Sequence, residues 1–194
     1  MPELWLIRHG ETAWSLSGKH TGRTDVPLTP RGIMEAEKLG RRLASKPFAL
    51  VLTSPLSRAR ETCRLTGRLA QAQIEEGLRE WDYGFAEGRT TVEIQKEAPG
   101  WSIWTGAVPG GETLEQVGAR ADRVLARVSE VNGAVALFAH GHVLRILAAR
   151  WLRLPPLFGR YLALDAPSLS MLGHEREFPV VRFWNERYDL LEVP

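Results

Sequence analysis

The sequence predicts an α/β fold: a three-layer α/β/α sandwich around a mostly parallel central sheet. Three observations lead there. Apolar runs of strand length alternate with longer stretches whose apolar residues recur every three or four positions. Two hydroxyl–proline pairs, Thr29-Pro30 and Ser54-Pro55, stand just ahead of such stretches, where a helix N-cap and first turn belong. The chain has 194 residues, 44% apolar and 25% charged, which suits one domain over residues 1–194 that buries a core without staples.

In chain order, residues 4–7 form a short apolar run that reads as a buried strand. Thr29-Pro30 opens a helix with Ile33, Ala36, Leu39 and Leu43 on its apolar face. Residues 48–52 are a second strand, and a helix opened by Ser54-Pro55 runs to about residue 70. Gln73-Ile74 marks a short third strand. Residues 77–111 then hold seven glycines, two prolines and three tryptophans, with one helical stretch at 91–97. That composition predicts a lid-like excursion over the sheet edge. A long helix over 112–131 carries Leu114, Val117, Ala121, Val124, Leu125 and Val128 on one face. The apolar run 134–139 is a strand, and the helix over 143–154 is stopped by Pro155-Pro156. Residues 168–172 and 180–184 close the sheet.

Composition excludes several classes. A single cysteine, Cys63, rules out a disulfide framework and any zinc site that needs two thiolates. No apolar run approaches the length of a membrane span, and the first residues lack the charged and apolar regions of a signal peptide. A cytoplasmic protein with no membrane partner is expected. Net charge is +2 and the basic residues are interleaved with acidic ones, which predicts no nucleic-acid partner. The apolar segment 180–188 suits either an edge contact in a homodimer or an ordinary sheet strand.

Three stretches set reactive side chains directly after a predicted strand: Arg8-His9-Gly10-Glu11-Thr12, then Thr53-Ser54-Pro55-Leu56-Ser57-Arg58, then His140-Gly141-His142. In a parallel sheet the carboxyl ends of the strands share one edge, and ligands bind there. Two guanidiniums and two imidazoles with no carboxylate cluster suit an anion, phosphate above all, because arginine forks match its oxygens in pairs. Helix N-termini after Ser54 and His140 would add backbone N–H groups. Taken singly, His9 reads as a satisfied polar residue and Arg58 as part of a helix surface. Their joint placement favours a site.

Leu6-Ile7-Arg8-His9-Gly10-Glu11-Thr12 resembles the signature of the histidine phosphatase superfamily, in its phosphoglycerate-mutase-like branch. Segments 21–32, 53–62, 78–88, 109–112 and 139–142 follow in that family's order, so the resemblance runs from residue 4 to about 154. It implies that family's fold and a covalent mechanism. His9 would be the nucleophile and become a phosphohistidine, with Arg8, Arg58 and His140 on the phosphoryl oxygens. Glu80 would protonate the leaving oxygen and then take a proton from the attacking water, desolvated by the loop around Trp81 and Phe85. No metal and no cofactor is implied, and the substrate would be a small phosphorylated metabolite such as a sugar phosphate. Ser15, Thr21 and Gly22 fall at positions that contact phosphate or substrate in that family. Tyr83 either lines the site or packs the loop, and His142 either touches substrate or begins the helix, with Ser15 and His142 each standing where many relatives carry Asn.

Glu11 and Glu87 are rival acids, the first a local cap or arginine partner, the second a partner for the loop. His20 would rim the pocket, and His174 reads as a solvated turn residue. Trp14, Trp81, Trp101 and Trp104 are candidates to wall an apolar pocket for the leaving group. The runner-up activity is a cofactor-dependent phosphoglycerate mutase. Mutases of the family resemble this chain but place a lysine where Thr91 stands and an arginine pair where Thr105-Gly106 stands. Arg89 and Lys96 are the nearest cations that would restore a carboxylate site. An inactive binding module, or a metal-dependent hydrolase using His9, His140 and His142, ranks lower.

Overall fold

The computed structural model describes residues 1–187. Its elements are β1 (Glu3–Arg8), α1 (Ala13–Leu16), α2 (Pro30–Leu43), β2 (Leu50–Thr53), α3 (Ser57–Leu65) and β3 (Ala72–Ile74). They continue with α4 (Thr91–Glu97), α5 (Leu114–Ser129), β4 (Ala134–Ala139), α6 (Gly141–Trp151), β5 (Ser168–Glu175) and β6 (Phe178–Glu186). The strands form one sheet in the order β3-β2-β4-β1-β5-β6. β3, β2, β4 and β1 are parallel neighbours, β5 is antiparallel to β1, and β6 is antiparallel to β5. Only β5 therefore runs against the rest, and the sheet is mostly parallel as predicted.

Alternation along the central strands builds a core on each face of the sheet. Leu4, Leu6, Leu52, Val135 and Leu137 join one apolar cluster with α5 and α6. Trp5, Ile7, Val51, Ala136 and Phe138 join the other with Leu39 and Leu43 of α2 and Cys63 of α3. Residues on both faces are buried, which is why these strands read as unbroken apolar runs. Ile33 of α2 is half-exposed, so the buried stripe of that helix starts at Ala36.

Three local readings are corrected. α2 begins as expected, with Thr29 Oγ accepting from Gly32 N and Pro30 in the first turn. α3 does not begin at Ser54: Leu56 is its N-cap, without a side-chain cap, and the Ser54 hydroxyl accepts from Leu56 N at 3.3 Å and faces His140 at 2.8 Å. α3 stops at Leu65, and a short 3-10 turn at Leu69–Gln71 leads into β3. Second, α6 starts two residues earlier than its apolar period indicates, with His140 as N-cap. Third, His174 is a strand residue on β5 with its ring 4.8 Å from Trp151, rather than a solvated turn residue.

The segment 77–111 is built into the molecule: Leu78, Trp81, Tyr83, Ile94, Trp101 and Ile103 all join the larger core cluster. It roofs the carboxyl edge of the sheet as a packed layer. Of the apolar closing segment, Tyr188 lies outside the described residues. Among the described residues no helix is long and apolar enough to cross a membrane.

Candidate active site

The sheet order brings the three reactive stretches together. β2, β4 and β1 are adjacent and parallel, and their registers pair Thr53 with Phe138 and Arg8 with Ala139. The chain leaves all three at one edge: His9 N donates to Ala139 O at 3.0 Å, and Ser54 N to Phe138 O at 2.9 Å. The His9 and His140 rings end up 5.1 Å apart.

His9 lines a cavity of about 310 Å³ together with Arg8, Glu80, Tyr83, His142 and Arg145. Its Nδ1 lies 2.7 Å from Gly10 O. A carbonyl only accepts, so Nδ1 carries the proton and Nε2 keeps a free lone pair. Gly10 is itself held by its N–H to Thr62 Oγ at 3.0 Å. A Cβ at Gly10 would sit 2.6 Å from Gly32 O, so any side chain there would push this support apart. Burial, then the charges of Arg58 and Arg8, hold His9 well below the usual imidazole range, so the ring is neutral at pH 7.

Arg58 is fully buried and heavily committed. Its Nη2 donates to Thr21 O and Gly22 O, its Nη1 to Thr24 O, and its Nε to His140 Nδ1 at 3.1 Å. Nη1 also faces Asp25 at 4.0 Å. Because Nδ1 of His140 accepts, its proton is on Nε2 and goes to Ser54 Oγ. Burial and the Arg58 charge hold His140 well below its usual range. In this structure the donors of Arg58 and His140 are engaged by the chain itself rather than directed free into the cavity. They form a buried Ser54–His140–Arg58 chain behind His9. Arg8 is the open guanidinium: one Nη1 bond goes to Leu164 O, while its buried Nε has no partner among the described residues. Gly141 packs on it, an added Cβ falling 3.3 Å from Arg8 Cζ.

The Glu80 carboxylate is gripped by backbone. Trp81 N and Val143 N donate to Oε1, and His142 N donates to Oε2, at 2.9–3.0 Å. Two of these donors belong to the first turn of α6, an arrangement that suits a carboxylate. Phe85 does not help desolvate it: that ring is half-exposed and packs on Trp101 at 5.8 Å. The rival acids are engaged elsewhere. Glu87 accepts from Gly22 N and Thr24 N and so holds the loop that clamps Arg58, and Glu11 accepts from Thr29 Oγ at the start of α2.

The remaining predicted residues divide. Ser15, Thr21, Tyr83 and His142 line the His9 cavity. The Ser15 hydroxyl is spent on Thr12 in the α1 capping box. Gly22 is corrected: it borders the neighbouring cleft of about 430 Å³. Its N–H and carbonyl are both taken, and an added Cβ would lie 2.5 Å from Trp81 O. Of the four tryptophans only Trp104 lines the cavity. Trp81 and Trp101 are buried in the core, and Trp14 packs against Gly88. His20 lines the cavity and Thr91 meets it at 3.3 Å. Arg89 pairs with Glu97 and Lys96 is exposed, so neither reaches the cavity. Sequence reasoning missed Arg145 and Lys19, which do. The available signal for Arg145 was its spacing, three residues beyond His142 on the same helix face. Among the described residues no group of three or more His, Cys, Asp or Glu is arranged to hold a metal.

An α/β sheet with a neutral, oriented imidazole, an open arginine and a backbone-held carboxylate at its carboxyl edge defines a phosphoryl-transfer site. The chain belongs to the histidine phosphatase superfamily (branch 1), whose family model matches residues 4–187. It is 40% identical over 176 residues to an acid phosphatase of Mycobacterium tuberculosis, covering 89% of this chain and 86% of that protein. It is 34% identical to the adenosylcobalamin/alpha-ribazole phosphatase of Escherichia coli, covering 95% of this chain and 96% of that protein. A solved open-reading-frame product of Mycobacterium tuberculosis superposes with a TM-score of 0.90 at 36% identity, over 95% of this chain and 97% of that one. The chain is a phosphatase of this family.

Proposed function

We propose that this enzyme hydrolyses small phosphomonoesters through a phosphohistidine at His9. The observation that carries the reading is the His9 Nδ1–Gly10 O hydrogen bond of 2.7 Å, which aims an unprotonated Nε2 from a ring kept neutral by its surroundings. The Nε2 lone pair attacks phosphorus in line and the P–O ester bond breaks. Glu80, having taken a proton from solvent at Oε2, which carries one backbone donor against two on Oε1, passes it to the departing oxygen. The Glu80 carboxylate then takes a proton from water as the water oxygen bonds to phosphorus. The N–P bond breaks and its electron pair returns to Nε2.

Arg8 binds two phosphoryl oxygens with its open guanidinium edge. Arg58 is a fixed charge beneath the phosphoryl group, and His140 exchanges its Ser54 bond for an equatorial oxygen. Guanidiniums thus supply the charge that a metal supplies in other phosphoryl-transfer sites. Retention of the phosphoryl group for a mutase reaction is disfavoured by Thr91 at the cavity wall in place of a lysine, and by Thr105 and Gly106 lining a separate cleft. The substrate is a small phosphorylated metabolite, and the setting is the cytoplasm, consistent with the lone buried thiol of Cys63.

The test is acid-labile, base-stable labelling from a radioactive phosphoester, quenched in alkali with EDTA present and run beside a 3-phosphoglycerate isomerisation assay. Label on His9, phosphate release without isomerisation, and no turnover by His9→Ala are expected. Label on Ser54 or Glu80, or turnover by His9→Ala, overturns the nucleophile.

A further inference from the structure

The cavity holds more positive charge than a single phosphoryl group needs. Arg8, Lys19 and Arg145 line it, and Glu80 is the one carboxylate among its lining residues. That carboxylate is already occupied by three backbone donors. Arg145 is the notable excess. It is half-buried, and its guanidinium lies 4.6 Å from the centre of the Trp104 ring. Its Nε and Nη2 donate to Gly159 O and Arg160 O, each at 3.1 Å. Among the described residues Nη1 has no hydrogen-bond partner and no carboxylate lies in ion-pair contact with the residue. Burial is the first cause that disfavours its charged form; the Glu80 charge across the cavity favours that form, and Arg8 opposes it. A partly desolvated guanidinium with a free Nη1 and no carboxylate in direct contact gains most from an anion that completes it.

His142 adds a second donor beside it. Tyr83 Oη lies 2.6 Å from His142 Nδ1. The phenol is buried and pushed well above its usual range, so it keeps its proton, and Nδ1 is the acceptor within reach. Burial and the Arg145 charge hold His142 neutral, so its single proton is on Nε2. Tyr83 thereby fixes the tautomer. Gly141 packs on Arg8 and Arg145 follows four residues later, so the backbone positions that carry the two groups are about 6 Å apart along α6.

We propose that Arg145 and the Nε2–H of His142 form a second anion site, which takes a carboxylate or second phosphate on the carbon skeleton of the substrate. The proposal rests on the phosphatase reading and narrows its substrates to phosphoesters that carry another anion one helical turn from the scissile group.

The experiment compares kcat/KM for 3-phosphoglycerate, fructose 1,6-bisphosphate, glycerol 3-phosphate and p-nitrophenyl phosphate. The protein should prefer at least one of the first two over glycerol 3-phosphate by about tenfold or more. The two show whether carboxylate or phosphate is taken. Arg145→Met should lower kcat/KM for the preferred ester at least about tenfold further than for glycerol 3-phosphate, mostly through KM, and Arg145→Lys should recover part of the difference. A preference for glycerol 3-phosphate, or equal loss on both, overturns the second site, since general damage to the fold moves all substrates together. Failure of the unmodified enzyme on every ester overturns the phosphatase reading instead. Calorimetric binding to His9→Ala then decides the subsite. Tighter binding of 3-phosphoglycerate or fructose 1,6-bisphosphate than of glycerol 3-phosphate, abolished by adding Arg145→Met, supports it, and equal binding rejects it.

Discussion

Acidification should unfold this protein through its active-site histidines. His9, His140 and His142 are each held well below the ordinary imidazole range, with burial as the first cause. In the unfolded chain each returns to about 6.5. The unfolded state therefore binds more protons as pH falls, while the folded rings stay neutral. The stability held by each neutral ring is fully present above about pH 6.5 and is lost below it. Between about pH 7.5 and 5.5 the unfolded state gains about 1.4 kcal/mol per histidine, or about 4 kcal/mol for three. His20 is lowered in the same sense and adds to the effect. Against a typical stability of about 5–15 kcal/mol this is a large share. The assay is urea denaturation at the two pH values. With m about 2 kcal/mol/M, the midpoint should fall by about 2 M. His142→Asn removes one titrating ring, so its midpoint should fall by about a third less. A midpoint that shifts by less than about 0.5 M would refute the claim that these rings are buried neutral.

Two further outcomes follow from the site. Glu80→Gln should slow alkyl phosphoesters by about 10²–10⁴ and p-nitrophenyl phosphate far less, because nitrophenolate leaves without a proton. Steady-state rates check this, and equal slowing would remove Glu80 as the acid. Arg58→Met strands the carbonyls of Thr21, Gly22 and Thr24 and the Nδ1 of His140, and should cost about 3–5 kcal/mol in urea denaturation as well as turnover. A loss under about 1 kcal/mol would mean that the clamp contributes little.

Much of the fold was legible because its signals are local. The run Ala134–Ala139 and the Thr29-Pro30 helix start act within one strand or one turn, and both stand where the sequence placed them. The ends of α3 and α6 were not legible. Ser54 and Pro55 carry a cap signal, yet the helix starts later, with Leu56 as its cap, and the Ser54 hydroxyl lies between Leu56 N and His140, a partner that only tertiary structure brings within 2.8 Å. In the same way the family resemblance placed Gly22 at a substrate-contact position, but Glu87 and Arg58 engage both its backbone groups.

The sequence by itself determined which chemistry is available: a strand-end His9, the arginines Arg8 and Arg58, the carboxylate Glu80 and the pair His140 and His142. Folding decided how those groups are spent. Once β2, β4 and β1 lie side by side, Arg58 turns inward to three carbonyls and His140, Arg8 keeps an open edge, and Arg145 enters the cavity from the second turn of α6. Hydrogen-bond capacity is finite, and which donor meets which acceptor depends on distances that appear only when remote segments pack.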